Sequence, residues 1–169
     1  MAGIIYELID ILNYQKECFD GLYTLAQYKE QAIIQKDLEL ITEIVKKEEE
    51  FIGRVNNLDK KRESMLKDIA IVIRINPNKI KLSDIIEKIG KDNEAAVSLS
   101  LLREELIDKT EKLKQQNEMN SLLINQSLEF VNFTINALEG LRGHIPASGY
   151  GKPGDNMSGE SKSFFDKKQ

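Results

Sequence analysis

The chain has 169 residues, with 24 Lys and Arg against 28 Asp and Glu and a net charge of −4, so it is about one domain long and carries no basic footprint for nucleic acid or an anionic membrane surface. Leu, Ile, Lys and Glu are prominent, aromatics are few, Trp is absent and Pro is almost absent ahead of the C-terminal tail. This is the composition of long helices. No apolar run approaches the roughly 20 residues that a membrane-spanning helix needs, and the start lacks the positive charge of a secretory signal. A cytoplasmic protein with no stable membrane insertion is expected.

Catalytic signals are missing. His144 is the one histidine, with Gly143 and Pro146 close by, so neither a paired Glu-x-x-His site nor a histidine-based zinc site can be assembled. No Gly-rich phosphate loop follows a strand, and no Ser or Cys nucleophile has a plausible base. Glu104 and Glu105 are adjacent and diverge by about 100° on a helix. Cys18, beside Phe19 on an apolar helix side, reads as a buried, inert thiol. No enzyme activity, metal or cofactor is expected. The mixed runs Lys46 to Glu50 and Asp59 to Glu63 read as solvated helix faces with i,i+4 pairing.

In chain order, apolar residues recur at three- and four-residue steps over residues 4–35, from Ile5, Leu8 and Leu12 to Ala32 and Ile33, predicting a first helix. Gln15 and Lys29 interrupt its seam as register-setting positions. Lys36-Asp37 makes the break, with Asp37 as N-cap and Glu39 in the first turn of a second helix over 38–74. So short a connection implies an antiparallel hairpin. The second helix turns Leu38, Ile41, Ile44, Val45, Phe51, Ile52, Val55, Leu58, Met65, Leu66, Ile69 and Val72 inward and stops at Asn76-Pro77. Pairing of residues whose numbers sum to near 72 would bring Arg62 to Asp10. Ser83 as N-cap and Gly90 as stop bound a short helix over 83–89. Its Ile85, Ile86 and Ile89 would plug one end of the bundle or else cover part of the third helix.

A long helix follows over 93–142, with Glu94 in its first turn and no breaker before Gly140. At about 1.5 Å per residue it is about 75 Å long against about 50 Å for each hairpin helix, so its C-terminal part is expected to overhang them. Two apolar stripes run along it. One, Ile124, Leu128, Val131, Ile135 and Leu138, continues back through Asn120, Asn117 and Leu113 to Leu106, Leu102 and Leu99 and is expected to face the hairpin. The other, Met119, Leu122, Leu123, Phe130, Phe133, Ala137 and Leu141, lies broadly opposite and is the candidate partner-binding face. Thr110, Asn117 and Asn120 fall on the inward seam, with Asn117 and Asn120 as register-setting positions. The fold class is therefore all-α: an antiparallel hairpin plus a long third helix in a three-helix, coiled-coil-like bundle over 1–142, with a short connecting helix. Gly, Pro, Ser, Lys and Asp dominate residues 143–169, which read as a flexible tail. In it Tyr150, Phe164 and Phe165 are candidate docking points.

Several of these residues, in this order, resemble a family. Lys29, Ala32, Ile33, Asp37-Leu38-Glu39, then Glu48-Glu49, Phe51-Ile52, Val55, Leu58 and Arg62, followed by Leu102-Arg103, Leu106, Leu113, Asn117-x-x-Asn120, Leu122-Leu123 and Leu128, with Tyr150-Gly151, Gly154 and Phe165-Asp166 in the tail, are similar to the FlgN-like flagellar export chaperones. The resemblance implies an ATP-independent cytosolic chaperone that escorts hook-associated proteins to the flagellar type III export gate. It also implies that the C-terminal region binds their disordered, amphipathic terminal segments and prevents premature polymerisation. The family's tail contributes to docking on the export gate, a role that would fall to Tyr150. The second stripe equally suits a permanent interface, so a structural homodimeric coiled-coil protein with no export role is the alternative.

Overall fold

The computed structural model describes residues 2–142. They form four helices, α1 (Ala2–Gln35), α2 (Leu38–Ile73), α3 (Leu82–Ile89) and α4 (Glu94–Arg142), with no strand among the described residues. The chain divides into two units, Met1–Val131 and Asn132–Gln169.

Local chemistry sets the boundaries. Lys36, in the left-handed region at φ 58°, ends α1 in a Schellman turn: the Lys36 and Asp37 amides donate to the carbonyls of Ile33 and Ala32 at 3.1 and 2.9 Å. The Asp37 carboxylate then accepts the Leu40 amide at 3.0 Å and caps α2. The other end of α2 comes earlier than Asn76-Pro77. Arg74 takes φ 60°, and the amides of Arg74 and Ile75 return to the carbonyls of Ile71 and Ala70, repeating the same motif with a residue that gives no glycine signal. Ser83 is not the cap of α3. The helix opens at Leu82, and the Asp84 carboxylate accepts the Lys81 amide at 2.8 Å, which satisfies one open donor from inside the first turn. Gly90, at φ 96°, closes α3. Asn93 opens α4 by accepting the Ala95 amide at 2.9 Å.

The main core lies where α1 begins and α2 ends. Ile5, Leu8 and Leu12 meet Ile69 and Ile73, Ile85 of α3, and Ala95, Leu99 and Leu102 of α4, while Ile86 and Ile89 pack on the same cluster. The short helix is thus an end plug, and its alternative placement against the candidate partner-binding face is overturned. Its apolar side is used up at the start of α4.

Between α1 and α2 the antiparallel hairpin is pinned at two levels. A Cβ on Gly21 would sit 2.6 Å from the Phe51 ring, so the glycine is what lets the tip of that ring approach α1 so closely. Further along, Lys29 Nζ donates to both Glu48 oxygens at 2.8 Å. Arg62 does not reach Asp10; its guanidinium pairs at 2.6 Å with Asp59, a carboxylate one turn away on its own helix. The inward side of α2 is also narrower than the periodicity suggests. Ile44, Ile69, Ala70 and Ile73 are buried, but Leu38, Val45, Ile52 and Val72 are exposed.

Helix α4 runs parallel to α1. Lys16 pairs with Glu105 at 2.8 Å, Lys109 with Asp20, Gln116 donates to Glu30 at 2.6 Å, and Asn120 donates to the Ala26 carbonyl at 2.8 Å. From Leu102 on, the covered residues of α4 are Leu102, Leu106, Lys109, Leu113, Gln116, Asn120, Leu123 and Ser127, which continue from Leu99 in alternating steps of three and four. Past Leu113 this row departs from the expected one, which ran through Asn117 to Ile124 and Leu128, all three of which are exposed. The reason is supercoiling. A seam of period 3.5 drifts about 20° per heptad from a straight helical projection, so over the four heptads from Leu99 to Ser127 the discrepancy reaches about 80°, nearly one residue step. Asn120 is buried, at 2% exposure; Asn117 and Thr110 are exposed, and Thr110 bonds back to the Leu106 carbonyl of its own helix at 2.8 Å.

Gly21 and Gly53 should respond oppositely to a methyl group. At Gly53 nothing lies within 4 Å of the added Cβ, so Gly53→Ala should raise unfolding stability in urea by about 1 kcal/mol through helix propensity. Gly21→Ala should instead lower it by about 1 kcal/mol through overpacking against Phe51, with Phe51→Leu restoring much of the loss. Equal stabilisation at both positions would mean that the Phe51 ring is not confined.

Candidate helix-docking surface

Helix α4 carries the candidate surface, because its seam loses cover towards its C-terminal half. Of its residues between Ile124 and Leu141 only Ser127 is partly covered; the others are exposed. Of the seven residues of the expected partner-binding face, four lie in the first unit and three in the second. Met119 and Leu122 are exposed, and Leu122 lines an open depression of about 660 Å³ with Phe19, Leu113 and Asn117. Leu123 is half-buried and lies with Phe130, Ile33, Ile34 and Lys36 around a smaller depression of about 230 Å³. The Lys36 ammonium stands 5.0 Å from the centre of the Phe130 ring, within cation–π range, and the ring is still exposed. In the second unit, described by itself, residues 132–142 are helical, with Phe133 71% and Leu141 66% exposed and Ala137 exposed as well.

A third depression, which the sequence reading does not contain, lies on the other side of Ser127. Ile33, Lys36, Leu38 and Ile41 of the hairpin tip face Ile124, Leu128 and Val131 of α4 across about 400 Å³. Leu38 is 76% exposed, being the first residue of α2 immediately after its cap. Helical periodicity had turned Leu38 and Ile41 inward and Ile124, Leu128 and Val131 towards a covering hairpin. The usable signal was the density of Ile and Leu around the Lys36-Asp37 break: a turn between two solvated helices has no need of four large aliphatic side chains.

The depressions have apolar walls. Among the described residues no group of three or more His, Cys, Asp and Glu could hold a metal ion. Glu105 is engaged by Lys16, and Glu104 is exposed. Cys18 is buried, and desolvation pushes its thiol above the ordinary range, opposed by the nearby positive charge of Arg54. None of the described helices is long and apolar enough to cross a membrane. Tyr150, Phe164 and Phe165 lie outside the described residues. An open, half-lined apolar trough of this kind suits an amphipathic helix laid along it.

A family model described as FlgN protein matches residues 1–158 of the chain. No curated protein and no solved structure matches it.

Burial and desolvation together make Cys18 a probe of the native state. Because the folded thiol titrates above its unfolded value, the pH profile of its alkylation should be displaced upward in the native protein, with slow labelling near neutral pH and fast labelling in urea. Rapid native labelling at neutral pH would contradict the packing of α1 around Cys18.

Proposed function

The chain belongs to the FlgN family of flagellar export chaperones, and from this we propose that it binds the disordered, amphipathic terminal segment of a hook-associated protein. It thereby prevents premature polymerisation and delivers its client to the export gate from the cytoplasm. The family is one of chaperones, not enzymes.

The observation that carries this reading is the exposed apolar stretch of α4 from Ile124 to Val131 with the hairpin tip beside it, together with the exposed apolar residues of the second unit taken by itself. Leu38, Leu128, Phe130, Val131, Phe133, Ile135, Leu138 and Leu141 are all exposed large hydrophobic residues. Exposed large apolar side chains in such number mark an interaction site. Full burial of one such side chain contributes about 1.5–3 kcal/mol, so four or five suffice for micromolar binding, about −8 kcal/mol, after several kcal/mol are lost in ordering the client. Tyr150, Phe164 and Phe165 are the residues we propose for contact with the export gate.

The same apolar face would serve a permanent homodimer, and the two readings differ in stoichiometry. Light scattering should show a monomer that takes up one hook-associated protein per chain. Phe130→Ser with Phe133→Ser should weaken that association by at least a hundredfold with the helical circular dichroism unchanged, since neither ring is enclosed by the chain itself. A stable dimer indifferent to the hook-associated protein would favour the structural role; unchanged affinity in the double variant would move the site elsewhere.

A further inference from the structure

Helix α2 carries a row of side chains that its packing on α1 does not use. Leu38, Ile41, Val45, Glu48 and Ile52 recur at alternating steps of three and four, the spacing of a coiled-coil seam, yet Leu38, Val45 and Ile52 are exposed. The side of α2 that meets α1 is another one, where Ile44 is buried and Phe51 lies against Gly21. Helix α4 has a matching row in Asn117, Ser121, Ile124, Leu128 and Val131, one residue on from the seam that α1 covers, and every member is exposed. Both rows lie wholly within the first unit.

The two rows are the walls of one groove. At the hairpin tip Leu38 and Ile41 face Ile124, Leu128 and Val131; further in, Glu48 and Ile52 face Asn117, Ser121 and again Ile124 across a depression of about 350 Å³. Ile124 belongs to both, so the groove is continuous, and from Leu38 to Ile52 it is about 21 Å, or four helical turns, long. Its floor is closed by Leu22 and Ile33 of α1, which are buried. Its chemistry is graded. The tip end is aliphatic, whereas at the inner end Lys29 and Glu48 neutralise each other at 2.8 Å. Asn120 gives its amide to the Ala26 carbonyl, but Asn117 lines the groove without a hydrogen-bond partner of its own among the described residues. The charge in the lining that no carboxylate among the described residues balances is Lys36, at the tip, where its ammonium stands over the Phe130 ring.

We propose that one amphipathic helix of the client lies in this groove, between α2 and α4, as the fourth helix of the bundle. This rests on the chaperone reading and specifies the chemistry of its partner: about four turns, with aliphatic side chains in the layers of Leu38, Ile41 and Val45, an amide or hydroxyl in the layer of Asn117 and Ser121, and an acidic residue at the tip end, opposite Lys36. The groove sets each of these. Seams of period 3.5 on two antiparallel walls are what a helix inserted between them packs against. Aliphatic walls reject a polar group that they cannot hydrogen-bond. Asn117, once covered, needs a partner, and so does the Lys36 charge once the helix end takes its water away. A second copy of this chain has no such helix to give from the described residues of its first unit, because α1, α2, α3 and α4 each already bury one side in their own bundle.

The test uses the full chain and a full-length hook-associated protein from a flagellated bacterium. Val45→Ser with Ile52→Ser, both on α2, should weaken the complex by about tenfold or more in calorimetric titration, with the helical circular dichroism unchanged because both side chains are exposed. Lys36→Glu should weaken it by about tenfold, and the difference from the unaltered chain should shrink in high salt. In a Cys18→Ala background, benzophenone labels on Ile52→Cys and on Asn117→Cys, from opposite walls, should cross-link to one stretch of the client, and a label on Leu38→Cys to a stretch about 14 residues away. Unchanged affinity in the Val45 and Ile52 variant, or labels from the two walls reaching separate stretches, would overturn the fourth helix and leave the chaperone reading standing on the complex itself. Unchanged affinity in Lys36→Glu would overturn the acidic end. Cross-links between two copies of this chain would overturn the proposal in favour of self-association. No complex with the hook-associated protein would overturn the chaperone reading and the fourth helix together.

Discussion

The position of α4 depends on its seam with α1, and that seam is held by polar side chains as much as by apolar ones. Leu99, Leu102 and Leu106 carry it near the core cluster, but further along it passes through Lys109, Gln116 and Asn120. Each of these finds its partner on α1: Asp20 for Lys109, Glu30 for Gln116 and the Ala26 carbonyl for Asn120. Ala26 is fully buried, and its small side chain leaves room for the amide above it. A leucine seam can slip by a heptad at little cost. A buried amide that bonds one carbonyl cannot, because the slipped alternative leaves it unsatisfied at a cost of about 1–3 kcal/mol.

Fixing that offset fixes where cover on the Leu123 row stops. α1 ends at Gln35, and the register of the seam places that residue beside the turn of α4 in which Leu123, Ile124 and Ser127 lie. The chemistry of α4 is therefore inverted along its length. Its covered stretch accepts Lys109, Gln116 and Asn120, whereas the stretch from Leu128 to Leu141 exposes Leu, Val, Phe and Ile. Selection for stability alone would place the large apolar groups in the covered stretch, where each buried side chain contributes about 1.5–3 kcal/mol. Moderate internal packing beside an exposed apolar face is the arrangement expected of a surface that a partner covers.

The hairpin tip takes part in this arrangement without belonging to α4. Lys36 closes the Schellman turn of α1 and also sets its ammonium over the Phe130 ring, and Leu38, next to the Asp37 cap, presents its side chain beside Val131. One tight turn thus ends α1, starts α2 and forms a wall of the apolar depressions beside α4. The hairpin contributes more than a support for α4.

The amino-acid sequence by itself determined what depends on neighbours within a few residues. The helix spans agree with the structure to within one or two positions because caps and breaks are local: Asp37 has its carboxylate two bonds from the backbone it caps, and Gly90 alone tolerates its φ without strain. The use of the short helix as an end plug was also readable, since Ile85, Ile86 and Ile89 in so few residues leave little else to do. Tertiary structure decided which side of α4 meets the hairpin, and therefore that Ile124, Leu128 and Val131 are open. It also turned Leu38 outward and gave Arg62 to Asp59 in place of Asp10. In each case the deciding quantity accumulates over distance or depends on a second helix: supercoil drift summed over four heptads, the point at which α1 ends beside α4, and the reach of a guanidinium between competing carboxylates. A one-dimensional pattern contains the residues that make these choices but not the twist and offset that select among them.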